Sequence, residues 1–195
     1  MKPIQYAALL SAALFLSACG KQTPEPAAPA KAAAEPVSIA AIQSGATGFT
    51  VGSPMSVRTV YVFFDPQCPH CAALWNSAKP LKSQAKFVWI PVGIMSKAST
   101  TQGATLLAAK DPVALMDEHE ASLLAKKGGI SAATGVDAQE AQVAKNTALM
   151  NRFGFASIPT VVAVHAQTGA VVSNEGSMPT AALANFLGLQ VPAGQ

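Results

Sequence analysis

Apolar residues along the chain fall into one early run and then a series of short blocks. Residues 6–16 (YAALLSAALFL) form the first run, behind Lys2. It is too short to span a bilayer comfortably and small residues follow it, which predicts a targeting segment over residues 1–18. Residues 20–36 (GKQTPEPAAPAKAAAEP) contain no aromatic or large aliphatic side chain. Such a stretch cannot bury enough apolar area to offset its own ordering, so it reads as a tether. Its prolines favour an extended form rising about 3.1 Å per residue, a reach on the order of 50 Å. Val37 to Gln43 has the pattern of one short helix. The tether spans 19–44, and a folded domain follows over 45–195.

Within that domain the blocks alternate in period. A short strand is expected at Phe49 to Val51. Val57 to Asp65 (VRTVYVFFD) is almost continuously apolar from Val60, as in a strand covered on both faces, with Phe63 and Phe64 packing on opposite sides. Pro69 stands where a first helical residue belongs, since its missing N–H is an orphan there in any case. That helix should reach about Lys79, where Pro80 kinks or ends it. Phe87 to Val92 reads as a second strand, and Pro91, which cannot donate to a ladder, marks its end. Trp75 and Trp89 belong in or near the core.

Residues 98–153 predict helices. Asp111 is an N-cap with Pro112 behind it, Val113, Met116, Leu123 and Leu124 share a face, and Gly128-Gly129 closes the segment after the solvated Lys126-Lys127. Asp137 and Glu140 have capping-box spacing. Val143, Met150 and Phe153 then fall on one side, and Gly154 stops the helix. A hairpin follows, Thr160 to Ala166 and Ala170 to Asn174 around Gln167-Thr168-Gly169. Pro179 to Leu187 closes the chain as a helix. The order is α/β: β-α-β, a helical insertion at about 98–153, then β-β-α. No internal repeat is visible.

Composition narrows the class. Half of the 195 residues are hydrophobic and 12% are charged, ample for one core, and the net charge of +3 carries no basic patch asking for nucleic acid. Leu16-Ser17-Ala18-Cys19 resembles a bacterial lipobox, a signal cut before a cysteine that is then acylated. Two or more acyl chains make a stable anchor, at about 0.8 kcal/mol per buried methylene. The expectation is a periplasmic lipoprotein held on a membrane through Cys19, with Gly20 favouring the outer one. That compartment permits disulfides, and lipid use of Cys19 leaves Cys68 and Cys71 only each other.

The pair occurs as Cys68-Pro69-His70-Cys71 at a strand-to-helix junction. A thiolate, not a thiol, attacks a disulfide, so a redox cysteine needs a lowered pKa. Cys68 lies at the mouth of a helix, where free N–H groups favour an anion, and His70 adds a donor or a positive charge. Cys71, one turn further in, is the resolving partner. A structural staple closing so small a loop removes little chain entropy. A zinc site needs two more ligands. His119 and His165 read as ordinary surface or core histidines. Copper held by Cys68, His70 and Cys71 needs fewer ligands, so a copper-binding lipoprotein or metallochaperone stays open. Met55, Met95 and Met178 are its soft donors, although methionine more often fills core gaps.

The order of elements, with Ile158-Pro159-Thr160 before the hairpin, resembles the thioredoxin fold with a helical insertion. More narrowly, VYVFFDPQCPHC at 60–71, Trp75, Pro80 and LLAAKDP at 106–112 resemble the bacterial periplasmic DsbC/DsbG group. The resemblance implies that Pro159 is a cis-proline beside the cysteines and that the backbone of Ile158 pairs with substrate peptide. It implies catalysis by Cys68 and Cys71, tuned by Pro69 and His70, with no cofactor beyond this redox couple and no metal. Exported proteins are the implied substrates. A DsbD-like membrane partner would keep the pair reduced, or a DsbB-like one would oxidise it.

Pro69-His70, Ile158 and Val62 depart from the patterns of these relatives. Pro69-His70 is the dipeptide typical of DsbA, an oxidase. Ile158 stands where the group has threonine. Val62 occupies the place where thioredoxin and DsbA put a buried acid. Asp65 reads as a strand-end cap rather than its substitute. Only about 35 residues, largely tether, precede the domain, so a monomer is expected in place of the group's dimer. The functional expectation is an extracytoplasmic thiol-disulfide oxidoreductase, a DsbG-like reductase or isomerase, with a DsbA-like oxidase as the alternative. Nothing in the residues fixes how the insertion sits on the site.

Overall fold

A computed structural model describes residues 33–194. The expected targeting segment, Cys19 and the expected tether up to residue 32 lie outside the described residues. From Ala33 onward the chain is one compact unit. A five-stranded sheet runs through it in the order β1-β3-β2-β4-β5. The strands are β1 (Phe49–Gly52), β2 (Thr59–Phe64), β3 (Lys86–Pro91), β4 (Thr160–Val164) and β5 (Val171–Glu175). Among the described strands only β2 and β3 pair in parallel, joined by helix α2 (Pro69–Ala78) and a 3-10 turn at Lys79–Leu81.

β2 explains the layering. Successive side chains of a strand point to opposite faces. Val60, Val62 and Phe64 enter the larger core with Leu74 and Trp75 of α2 and Leu183 and Leu187 of α6 (Thr180–Leu187). Tyr61 and Phe63 enter a second core under Leu149 and Met150 of α5 (Asp137–Arg152) and Ile42 of α1 (Ile39–Gly45). A strand that is central and covered on both sides has no use for polar positions, which accounts for its apolar run.

The tether boundary at residue 44 needs correction. Ser38 caps α1 through a bond from the Ala41 amide, Ile42 is buried, and the Glu35 amide donates to the Arg152 carbonyl at 2.8 Å. Residues 33–44 therefore belong to the folded unit. Ile42 supplies apolar area that the preceding Pro/Ala stretch lacks.

The insertion contains three helices: α3 (Lys97–Ala108), α4 (Pro112–Leu124) and α5. The Asp137/Glu140 capping box does not form. Val136 is the cap residue and Asp137 lies inside the first turn, where its charge suits the helix dipole. The reciprocal box is instead Ser96 with Ser99, at the start of α3. The expected apolar face of α4 also changes. Leu124 is 53% exposed, while Met116, His119 and Glu120 are buried. Among the described residues no helix is long and apolar enough to cross a membrane.

Candidate active site

Cys68 is the cap residue of α2 and Pro69 its first helical residue. The Cys71 and Ala72 amides both donate to the Cys68 carbonyl, so the first turn wraps the two cysteines onto one side. Cys68 and Cys71 are buried free thiols, while Pro69 and His70 are exposed at the rim. The cysteines are unlike each other. A hydrogen bond from the Cys71 thiol is the largest influence lowering Cys68, from 9.0 to about 7. Burial opposes it, and the backbone N–H groups of Cys71 and His70 and the charge of His70 assist. Burial, then the bond to Cys68 and its charge, push Cys71 well above the ordinary thiol range. One sulfur is an available anion near neutrality, and the other holds its proton.

The Ile158-Pro159 peptide bond is cis, and the Ile158 carbonyl lies 3.9 Å from Cys68 Sγ. This carbonyl arrives from the turn before β4, ninety residues along the chain, because β4 pairs with β2 and β2 ends just before α2. Cys68, Cys71, Ile158 and Pro159 are thus brought together. Met55 and Met95 are exposed on different loops and Met178 packs against the larger core, so the three methionines do not converge. Among the described residues no group of three or more His, Cys, Asp or Glu is arranged to hold a metal ion.

Asp65 is fully buried and binds backbone on both sides of the site. Its Oδ1 accepts from the Gln67 amide at 2.8 Å, and its Oδ2 accepts from the Ile94 and Met95 amides at 2.8 and 2.9 Å. It clamps the loop carrying Cys68 to the loop after β3. His119 does the same from the insertion. Its Nδ1 accepts from the Ile130 amide at 3.2 Å, which leaves Nε2–H to donate to the Pro66 carbonyl at 2.6 Å. Gln102 reaches the Gly128 and Ile130 carbonyls at 2.8 Å and accepts from Gln67. His119 is therefore neither a surface residue nor a ligand, and burial lowers its pKa below 6.5. His165 lies past the end of β4, where it accepts from the Gln167 and Thr168 amides.

A model for the Thioredoxin-like domain matches residues 54–190. The chain belongs to this thioredoxin-like family. It is 35% identical over 137 residues to the thiol:disulfide interchange protein DsbG of Pseudomonas aeruginosa, covering 67% of this chain and 51% of that protein. It is 38% identical over 65 residues to DsbG of Escherichia coli, covering 32% of this chain and 26% of that one. The chain thus spans about half, or less, of the length of these relatives. The crystal structure of the thiol-disulfide exchange protein alpha-DsbA2 from Wolbachia pipientis superposes with a TM-score of 0.58 at 18% identity, covering 77% of this chain and 92% of that one. This similarity is one of fold.

The thioredoxin-like frame also holds a residue that sequence reasoning missed. Glu120 of α4 is 2% exposed and neither of its carboxylate oxygens has a hydrogen-bond partner. Burial and then the charge of Cys68 raise its pKa from 4.5 to about 8, against the opposing charge of Lys79. The signal was its position: Glu120 stands one helical turn after Met116, so it continues the inward stripe rather than the solvated face.

Proposed function

We propose that this protein is an extracytoplasmic thiol-disulfide oxidoreductase of DsbG type, a reductase or isomerase of exported proteins. The observation that carries this reading is the inequality of the two sulfurs beside the Ile158 carbonyl. Cys68, lowered to about 7, attacks one sulfur of a substrate disulfide, and the other substrate sulfur leaves with the electron pair of the broken bond and takes a proton. The Ile158 backbone offers hydrogen-bonding groups to the substrate peptide. Cys71 then attacks Cys68 Sγ, releasing the substrate as a dithiol and leaving a Cys68–Cys71 disulfide. A membrane partner of DsbD type returns the two electrons.

How strongly the thiolate is favoured supports the reducing direction. A value near 7 is that of a reducing thioredoxin, whereas the strongly oxidising DsbA holds its cysteine near 3.5. Trapping of free thiols in cells tests this. Cys68 is expected reduced at steady state, and the purified couple is expected well below the about −120 mV of DsbA. A fully oxidised resting pair would instead favour the DsbA-like oxidase suggested by Pro69-His70.

The lipobox-like Leu16-Ser17-Ala18-Cys19 supports a periplasmic domain anchored through Cys19. Incorporation of labelled fatty acid, and its loss in Cys19→Ser, tests the anchor. A soluble, unlabelled wild-type protein would rule the anchor out.

A further inference from the structure

The structure assigns Glu120 as the proton acceptor for Cys71: an unpartnered buried carboxyl group, delivered by the helical insertion, in a chain whose β2 carries Val62 rather than an acid. The inference rests on the thiol-disulfide reading above and adds the residue that makes its second half possible.

Position comes first. Helix α4 lies against α2. Met116, one turn before Glu120, packs in the same core as Cys68, Cys71 and Trp75. The helix is pinned at two residues just before Glu120. Asp117 accepts from Trp75 Nε1 at 2.7 Å, and His119 holds the Pro66 carbonyl just ahead of Cys68. Val62, on β2, is itself buried and carries no proton.

Availability comes next. Buried polar groups in native proteins are almost always satisfied, so a carboxyl group with two orphan oxygens asks for an explanation. The surrounding charged groups are engaged elsewhere. Asp65 is consumed by three amide bonds, and Asp117 binds Lys79 and Trp75. Lys79, although it acts on Glu120, is held at 2.5 Å by Asp117. His119 is tied at both ring nitrogens. Glu120 remains free to trade a proton, and it is electrostatically coupled to both sulfurs.

The cycle balances with one negative charge shared among the two sulfurs and Glu120. In the dithiol the charge is the Cys68 thiolate, and Glu120 keeps its proton. When Cys68 bonds to a substrate sulfur its charge is gone, so burial alone holds the Glu120 proton, and the fraction of Glu120 that has released its proton to solvent is the base. Cys71 Sγ–H then gives its proton to the Glu120 carboxylate through one bridging water, since neither carboxylate oxygen bonds a sulfur directly, and the resulting thiolate attacks Cys68 Sγ. The bond between Cys68 and substrate breaks, and the departing substrate sulfur carries the electron pair and takes a proton from solvent. The protein ends oxidised by two electrons, the substrate reduced by two, and Glu120 protonated as it began.

The test uses the reduced protein with oxidised glutathione, acid quenching, and mass detection of the glutathione adduct. In Glu120→Gln at pH 7 the adduct should accumulate, because its resolution by Cys71 slows on the order of 100-fold. Raising the pH should recover the rate about tenfold per unit as hydroxide replaces the lost base, with a shallower profile in the wild type. Adduct formation, measured in Cys71→Ser with and without Glu120→Gln, should be unchanged, which a merely structural role would not predict. Infrared spectra of the dithiol form should show a protonated carboxyl band in the wild type that Glu120→Gln lacks. Wild-type resolution and pH profile in Glu120→Gln, or no such band, overturn the assignment while leaving the exchange reading intact. A wild-type protein that forms no adduct at all overturns both.

Discussion

His119 Nε2 donates to the Pro66 carbonyl at 2.6 Å. This contact joins α4 of the insertion to the loop that presents Cys68, and the Ile130 amide locks the same ring from the other side. The insertion is thus fastened to the site by a buried, neutral histidine. Removing one partner of such a bond leaves a buried polar group unsatisfied, at about 1–3 kcal/mol each. His119→Ala should therefore lower unfolding stability by on the order of 2–4 kcal/mol in urea titration, and His119→Gln should recover part of it. An unchanged midpoint in His119→Ala would show that the two bonds contribute nothing.

Cys68 should titrate near neutrality. Its reactivity with iodoacetamide requires the thiolate, so the rate should rise with pH to a plateau, with a midpoint at about 7. The Cys71 thiol is the largest influence on that midpoint. Cys71→Ala should move it upward, and Cys71→Ser, which keeps a donor, should move it less. An identical midpoint in Cys71→Ala would transfer the effect to the helix terminus and His70.

Asp65 holds three amides from two loops. Bonds to a charged acceptor are worth about 1.5–3 kcal/mol each, not fully additive, so Asp65→Ala should cost on the order of 3–5 kcal/mol. The loss should appear in unfolding experiments, with protease cutting in the loop around Ile94 and Met95. A variant of native stability that had lost thiol exchange would make Asp65 catalytic rather than structural.

Glu120 shapes stability against pH. Its folded pKa of about 8 lies above the 4.5 of an ordinary glutamate. Between these values the folded chain keeps a proton that the unfolded chain has released, so the contribution is present below about 4.5 and is lost as pH rises to about 8. The Glu120→Gln variant removes this dependence. It should be more stable than the wild type at pH 8 by on the order of a few kcal/mol, with the difference shrinking toward pH 5. Thermal unfolding of both proteins across that range is the measurement, and parallel curves would contradict the shift.

Much of the frame was written locally in the chain. The apolar run of β2, the proline behind Cys68, the Asp111-Pro112 start of α4 and the hairpin at Gln167-Thr168-Gly169 each follow from neighbours a few residues apart, because strand alternation, proline geometry and turn chemistry are short-range. The Cys68-Pro69-His70-Cys71 turn was legible for the same reason. What surrounds it was not. The Ile158 carbonyl, Asp65 with the Ile94 and Met95 amides, His119 with Pro66, and the unpaired Glu120 meet through chain separations from about thirty to ninety residues. A histidine and a glutamate on a helix look solvated in sequence. Only packing α4 across α2 turned them inward, and burial then gave one a fixed tautomer and the other a proton that water would have removed.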